Sequence, residues 1–445
     1  MENRSNPSRR ILIISYCFAP QNTIGAVRPT KLAKYLTRMG HEVTVICGAG
    51  LNALRDPTLQ RDLNELKDVR LLEEWNPLRR RSEAKESADQ AASAPSSAAQ
   101  KSGGNKLVHS LKDGIYRYIR WRADRNFLKK AQQEIRGMKQ PFDLVFSSYG
   151  PLSVHEAAFY AKEHGIAKRW VADFRDELSF PFRWQVGYPR RYRKMLQYAD
   201  QQCAVSRGFL EMLGYEKSGF VLSNGYDPED LPVHGERTRA PGTLPLRLVY
   251  CGGLSEAGRP GVPDRDLRPV FTVLQKMISE GSLKKEEIQL VYAGRDIGLF
   301  RQYAKECDLA DCVENHGFVN REEALSIESG ADVLLMGSWQ SKEQRGILTG
   351  KLFEYMLMKK PILCCVGGTG CEGGIASVLK ETGLGECYEA GMAPEGKKQF
   401  ALSTEKMILL LQKGENPLNQ QNEDAILSYA YPNLAKALIN RCFPE

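Results

Sequence analysis

The sequence predicts an α/β chain of two doubly wound, parallel-sheet domains, and three observations predict it. Short apolar runs rich in β-branched residues recur along the chain: ILIISYCF at 11–18, HEVTVIC at 41–47, FDLVFSS at 142–148, LRLVYC at 246–251, QLVYA at 289–293 and ADVLLM at 331–336. Unbroken runs of this kind are strands buried on both faces, as in parallel sheets. Stretches with helical spacing separate them and close at glycine or proline, which makes the unit βαβ. The pattern also stops at a proline-rich stretch near 227–244 and restarts, and 445 residues are more than one ordinary domain holds.

In the first half, the strand at 11–18 empties into a loop that ends Thr23-Ile24-Gly25-Ala26-Val27-Arg28. A helix is predicted over 29–39, with Leu32, Ala33 and Leu36 on one face and Gly40 as its stop. Gly25 lies at the strand-to-helix turn, where backbone amides face an anion, and Arg28 opens the helix. Residues 84–106 carry Ala, Ser, Gln and Gly with almost no large apolar side chain, so a flexible insertion is expected there.

The segment 107–138 alternates Lys112, Arg117, Arg120, Arg122, Arg125, Lys129 and Lys130 with Ile115, Tyr118, Trp121, Phe127 and Leu128. Two readings stand side by side: a basic amphipathic helix lying on an anionic membrane surface, or a helix packed on its own domain with a solvated basic face. Further on, the strand WVAD at 170–173 delivers Asp173, Arg175, Asp176 and Glu177 to its carboxyl end, where open α/β sheets keep their ligands. A solvated charged loop is the plain alternative. A helix is predicted over 192–200.

The second half repeats the pattern. LRLVYC runs into Gly252-Gly253, QLVYA into Gly294-Arg295-Asp296, a helix is expected over 322–328, and closing helices over 407–412 and 425–438. The stretch GKLFEYMLMKKPIL at 350–363 is the most informative in the chain. Leu352, Phe353, Met356 and Leu357 have the spacing of a buried helix, which stops at Lys359-Lys360-Pro361 and enters a strand. Lys351 and Glu354 therefore sit on the first turn of a buried helix, where unpaired charge is costly. Either they meet a ligand, with Glu354 accepting from a ribose diol and Lys351 facing phosphate, or they form an i, i+3 ion pair.

Composition removes several classes. A net charge of +8 on a chain that is 42% hydrophobic and 26% charged favours an anionic ligand or surface, and no RNA-binding signature accompanies it, so no nucleic-acid partner is expected. The eleven cysteines lie in apolar segments without paired spacing, which reads as reduced core thiols and no zinc site. The first apolar run is too short for a signal peptide core or a membrane span. The dinucleotide fingerprint G-x-G-x-x-G does not occur at the turn of the first βαβ unit, and the Walker lysine loop, G-x-S-x-G and H-E-x-x-H are absent from the sequence.

Taken in order, ILIISYCFAP, GAVRPTKLAKYL, HEVTVI, FDLVFSS, WVADFRDE, VLSNGYD, LVYCGGL, VENHGFVNREEAL, ADVLLM and GKLFEYMLMKKPIL resemble the GT-B fold glycosyltransferases over nearly the whole chain. The resemblance is to the large retaining group called family 4, which builds bacterial surface polysaccharides and glycolipids. It implies two Rossmann-like domains facing a cleft: an N-terminal acceptor-side domain over 1–228, a linker over 229–244, a sugar-nucleotide domain over 245–420, and a final helix within 421–445 that crosses back. It implies a UDP- or GDP-linked sugar donor, no metal, and a glycan or lipid-linked acceptor.

Residue by residue, the resemblance assigns Glu354 to the ribose hydroxyls, Lys351 and Arg265 to the diphosphate, and Phe318 and Val319, within 316–319, to the base. Gly252, Gly253 and Gly350 join the donor site, Gly25 lets the N-terminal loop approach the diphosphate, and Asp173, Arg175 and Asp176 face the transferred sugar and acceptor. Two positions depart from the family pattern: Gly346 stands where the first glutamate of its E-x7-E pair belongs, and Arg175 where some relatives carry a histidine.

Glycosyl transfer with loss of a nucleoside diphosphate needs positive charge at the leaving group, which Lys351, Arg265 and helix amides supply. In a retaining front-face reaction the leaving phosphate takes the acceptor proton; in an inverting one Asp173 or Asp176 must act as base. The sequence leaves both open. A sugar-nucleotide epimerase and an inactive sugar-nucleotide-binding scaffold are the rival readings. The expected location is cytoplasmic and peripheral, at the inner face of the membrane.

Overall fold

The computed structural model describes residues 7–49, 54–73, 106–180, 187–231, 240, 242–255, 265–341, 346–371, 373–418 and 421–444. The expected insertion lies outside them apart from Lys106, and the expected linker is described only in part. The chain divides into two compact units, Met1–Cys203 with Ile439–Glu445, and Ala204–Leu438.

The first sheet has the order β3-β2-β1-β4-β5-β6-β7. Its strands are β1 (Arg10–Ser15), β2 (Glu42–Gly48), β3 (Asp68–Leu72), β4 (Leu144–Ser148), β5 (Trp170–Phe174), β6 (Gln201–Ala204) and β7 (Phe220–Val221). β1 pairs parallel with β2 on one side and with β4 on the other, Ser15 standing opposite Ser148. Because β2 and β4 lie on opposite sides of β1, the connections leaving β1 and β4 diverge. Open α/β sheets keep their ligands at such a divergence, at the carboxyl ends of the strands.

The second sheet has the order β10-β9-β8-β11-β12-β13, and every neighbouring pair is parallel. Its strands are β8 (Leu246–Cys251), β9 (Ile288–Ala293), β10 (Val313–Gly317), β11 (Val333–Gln340), β12 (Ile362–Gly368) and β13 (Gly385–Glu389). Strand alternation sorts the core into two layers. Leu246, Leu248 and Tyr250 pack with Phe271, Phe300 and Met407 of the helices on one face. Val249 and Cys251 pack with Leu325, Phe353, Met356 and Ile375 on the other. The switch in strand order falls between β8 and β11. The architecture is the expected one, two Rossmann-like parallel sheets of seven and six strands.

The helix expected over 407–412 is the end of a longer one, Pro394–Gln412, and three others differ from expectation for identifiable reasons. The first runs Ile24–Arg38, so it begins five residues before the predicted start and holds Pro29 in its interior. Pro29 has no N–H for the carbonyl of Gly25, and the Arg175 guanidinium donates to that oxygen instead at 2.8 Å. The closing helix expected over 425–438 is two, Glu423–Ser428 and Tyr431–Cys442. Between them Tyr429 accepts from Tyr226 N–H and Tyr431 donates to Tyr226 C=O, which takes both backbone groups out of the helical ladder. The helix expected over 192–200 begins earlier, at Tyr188 with Pro189 in its first turn, and ends at Leu196.

The basic segment forms one helix, Lys106–Arg136. Phe127, Ala131 and Ile135 in its C-terminal half are buried in the first unit. Ile115, Tyr116 and Tyr118 are about half exposed among Arg117, Arg120 and Arg122, so the reading of a helix packed on its own domain holds for the C-terminal half. Among the described residues no helix is long and apolar enough to cross a membrane.

Candidate active site

In the first unit the loops leaving β1 and β4 are tied together by Arg175, just beyond β5. Its Nη1 donates to Gly25 O, and its Nε and Nη2 donate to Tyr149 O at 3.1 and 2.8 Å. A Cβ on Gly25 would stand 2.8 Å from Arg175 Nη1, so glycine is what lets the helix start approach the guanidinium this closely. Arg175 thus holds the two loops that diverge at the switch in strand order.

Asp173 points inward. It is fully buried, bonded to Arg28 through Oδ2 at 3.1 Å and Oδ1 at 2.7 Å, and it accepts from Ser148 Oγ at 2.9 Å and from Cys203 Sγ. A carboxylate so placed orients the helix that carries Arg28 and is shut off from solvent. Asp176 is exposed. Of the two acids read as base candidates, it alone is open to a substrate.

Beneath Asp173, His155 is fully buried, with Nδ1 2.8 Å from Ser147 Oγ, which also accepts from Trp170 Nε1. Burial pushes the imidazole down to about 3, with nearby Asp173 opposing, so this histidine is neutral.

In the second unit the turn after β8 is built from carbonyls that find donors. Tyr292 Oη and Tyr250 Oη donate to Gly252 O and Gly253 O, and Arg265 Nη1 donates to Gly253 O at 2.7 Å. Asp296 caps the other side by accepting from the N–H groups of Leu254 and Ser255. Gly252 has φ 129°, a left-handed conformation that favours glycine. Arg265 packs against β11, where a Cβ on Gly337 would meet its Cβ at 2.5 Å. The Gly252-Gly253 turn and Arg265 therefore lie at the β8–β11 switch.

Lys351 and Glu354 come from the helix Gly350–Met358, whose N-cap Thr349 makes no side-chain cap, so its first amides have no side-chain acceptor at the cap. Lys351 Nζ lies 2.9 Å from Glu328 Oε1 and 3.3 Å from Glu354 Oε1, and its Cε would stand 3.1 Å from a Cβ on Gly252. Glu354 Oε2 faces Arg321 Nε at 3.7 Å, and Arg321 bonds Asp230 at 3.3 Å. Burial opposes the charge on Lys351, but Glu328 and Glu354 outweigh it and hold the ammonium well above the usual lysine value. Burial would raise Glu354, yet Lys351 and Arg321 bring it below the ordinary carboxylate value. The i, i+3 ion pair is present, and it is one edge of a larger cluster.

Beside it, Phe318 is 66% exposed, with the Arg295 guanidinium 4.2 Å above its ring, while Val319 is half-buried against the core. This is a flat apolar and cationic platform after β10. Gly346 donates no side chain to the site. Its carbonyl accepts from Ser206 Oγ at 2.7 Å, and a Cβ there would fall 2.5 Å from that oxygen and 2.7 Å from Phe209 N. A glutamate does not fit without moving the helix Arg207–Leu213.

Sequence reading did not single out Glu328, Arg321, Asp230 or His155. The one signal for Glu328 was its spacing of three from Leu325 on a helix facing the sheet, which puts an acid on an apolar face.

No family model matches the chain, and no curated protein matches it in sequence. Solved structures match over its full length. The N-terminal domain of Candida albicans trehalose-6-phosphate phosphatase has a TM-score of 0.60 at 15% identity, covering 99% of this chain and 98% of that one. A glycosyltransferase from Rickettsia africae has 0.56 at 13%, covering 98% of each chain. A Listeria monocytogenes protein described as a UDP-N-acetylglucosamine 2-epimerase has 0.52 at 12%, covering 97% and 95%. Such identities speak for architecture alone, and with the two parallel sheets and their strand orders they give this chain a GT-B-like fold.

Proposed function

We propose that the chain is a glycosyltransferase that moves a sugar from a UDP- or GDP-linked donor to a glycan or lipid-linked acceptor in surface polysaccharide synthesis. The observation that carries this reading is the charged cluster at the β8–β11 switch. Glu354, ionised and held between Lys351 and Arg321, is an acceptor-only group suited to a ribose diol. The open amides of Gly350 and Lys351, with Arg265 beside the Gly252-Gly253 turn, suit the diphosphate. Phe318 and Arg295 offer the base a stacking face, next to Val319.

In this reading the second unit takes the donor and the first takes the acceptor. Departure of the nucleoside diphosphate develops negative charge, which Arg265, Lys351 and the helix amides stabilise in place. Because Asp173 is sealed against Arg28, it serves position, and any protein base is Asp176. Retention, in which the leaving phosphate takes the acceptor proton, agrees with so sparse a set of acids. The half-exposed Ile115, Tyr116 and Tyr118 among arginines support docking of the Lys106–Arg136 helix on an anionic membrane surface, at the cytoplasmic face.

The epimerase reading draws on the Listeria likeness, but in the donor cluster Glu328, Glu354 and Asp230 are bound to Lys351 and Arg321. The test is release of nucleoside diphosphate from UDP- and GDP-sugars with an added glycolipid acceptor. Acceptor-dependent release supports transfer, interconversion of the free sugar nucleotide supports epimerisation, and binding without either supports the scaffold.

A further inference from the structure

Three acids and two cations meet at the donor cluster: Asp230, Glu328 and Glu354 against Lys351 and Arg321. Glu328 is the member with no exposure at all. Its Oε1 accepts from Lys351 at 2.9 Å, while its Oε2 is buried and has no donor among the described residues. Lys351 Nζ, 3.3 Å from Glu354 Oε1, brings the two carboxyls together, with Cys251 also beside Glu328, and Glu354 when ionised is itself only an acceptor. Two carboxylates do not bond each other without a proton between them.

We propose that Glu328 is a positioning residue of the donor site, kept protonated so that it accepts from Lys351 with one oxygen and donates to Glu354 with the other. Resting on the reading of Glu354 as the ribose acceptor, this gives Glu328 a definite task. Its proton fixes the rotamer of Glu354, keeps that group ionised, and leaves its remaining lone pairs to the diol. Lys351 is then shared between two carboxyls. It holds Glu354 in place while adding its charge to that of Arg265 and the helix amides at the leaving phosphate.

The groups facing Glu328 are Lys351, Glu354 and Tyr355 from the Gly350–Met358 helix and Cys251 from β8, with Arg321 and Asp230 beyond Glu354. Burial pushes Glu328 up to about 8, with Lys351 opposing and Glu354 adding to the rise. A carboxyl raised on folding stabilises the fold at low pH, and that stability fades as pH climbs from the ordinary carboxylate value to the raised one.

The test compares the wild type with Glu328→Gln, whose amide accepts and donates in the same directions as the protonated acid. Infrared difference spectra at neutral pH should show the carbonyl stretch of a protonated carboxylic acid in the wild type and not in the variant. The band should also vanish from the wild type alone above about pH 9.5, a measurement that needs no variant. The melting temperature of the wild type should fall relative to Glu328→Gln between about pH 5 and about pH 8.5. At neutral pH Glu328→Gln should bind UDP or GDP within about threefold of wild type, and Glu328→Ala about tenfold or more weaker.

Absence of the band, parallel pH dependences, or a tenfold loss in a folded Glu328→Gln would overturn the proposal. If the wild type binds no nucleotide, the functional reading fails, and the spectra and melting curves still decide whether Glu328 holds the proton.

Discussion

Arg175 donates to the carbonyl of Gly25 at 2.8 Å and so supplies the bond that Pro29, four residues further along the helix, has no N–H to make. The same guanidinium holds the Tyr149 carbonyl, so one side chain joins the two loops at the switch in the first sheet.

Replacing Arg175 by Met leaves both carbonyls short of a charged donor and should cost about 2 kcal/mol in denaturant unfolding. Pro29→Ala restores an N–H for Gly25 and should recover about 1 kcal/mol in the Arg175→Met background while doing little in the wild type. Additive effects of the two substitutions would remove the proposed link.

Asp173 and Asp176 should separate cleanly. Asp173→Ala takes the carboxylate from buried Arg28 and should destabilise by about 3–5 kcal/mol. Asp176→Asn, on an exposed loop, should leave stability within about 0.5 kcal/mol. Turnover by Asp176→Asn then distinguishes the mechanisms: near-wild-type kcat fits phosphate-assisted retention, and a loss of about a hundredfold or more assigns it as base.

His155 links the fold to pH. Its folded value lies near 3, well below the usual histidine value, so its contribution is complete above about pH 6.5 and is lost as pH falls towards 3. Unfolding free energies measured between about pH 7 and about pH 5 should therefore decline more steeply for the wild type than for His155→Asn, which cannot take up the proton. Equal slopes would place the acid sensitivity elsewhere.

Gly346→Glu should not restore a missing function. The added Cβ meets Ser206 Oγ at 2.5 Å, so the substitution should destabilise by about 1–3 kcal/mol and weaken whatever the site binds. A more active, fully stable variant would show that the loop has room.

The strands were legible because their physics is local: ILIISYCF and LRLVYC are apolar on both faces and read as buried at sight. Boundaries set by distant groups were not. Pro29 reads as a helix start because proline usually sits there. Its interior position depends on an arginine at 175, and the break before Tyr431 depends on Tyr226. The Lys351–Glu354 pair was visible from spacing, since charge on a buried helix demands a partner. Glu328 was not, because one of three acids in REEALSIES looks like a solvated residue until β8 and the next helix close over it. Gly346 stood out as a departure, and its cause, the approach of Ser206, exists only in three dimensions.

The most direct test of the account is calorimetric binding of UDP and GDP to the wild type and to Glu354→Ala. The account predicts binding of one of them, weakened about a hundredfold, or roughly 2.7 kcal/mol, by the substitution. Binding of neither, or equal binding by both proteins, would contradict it.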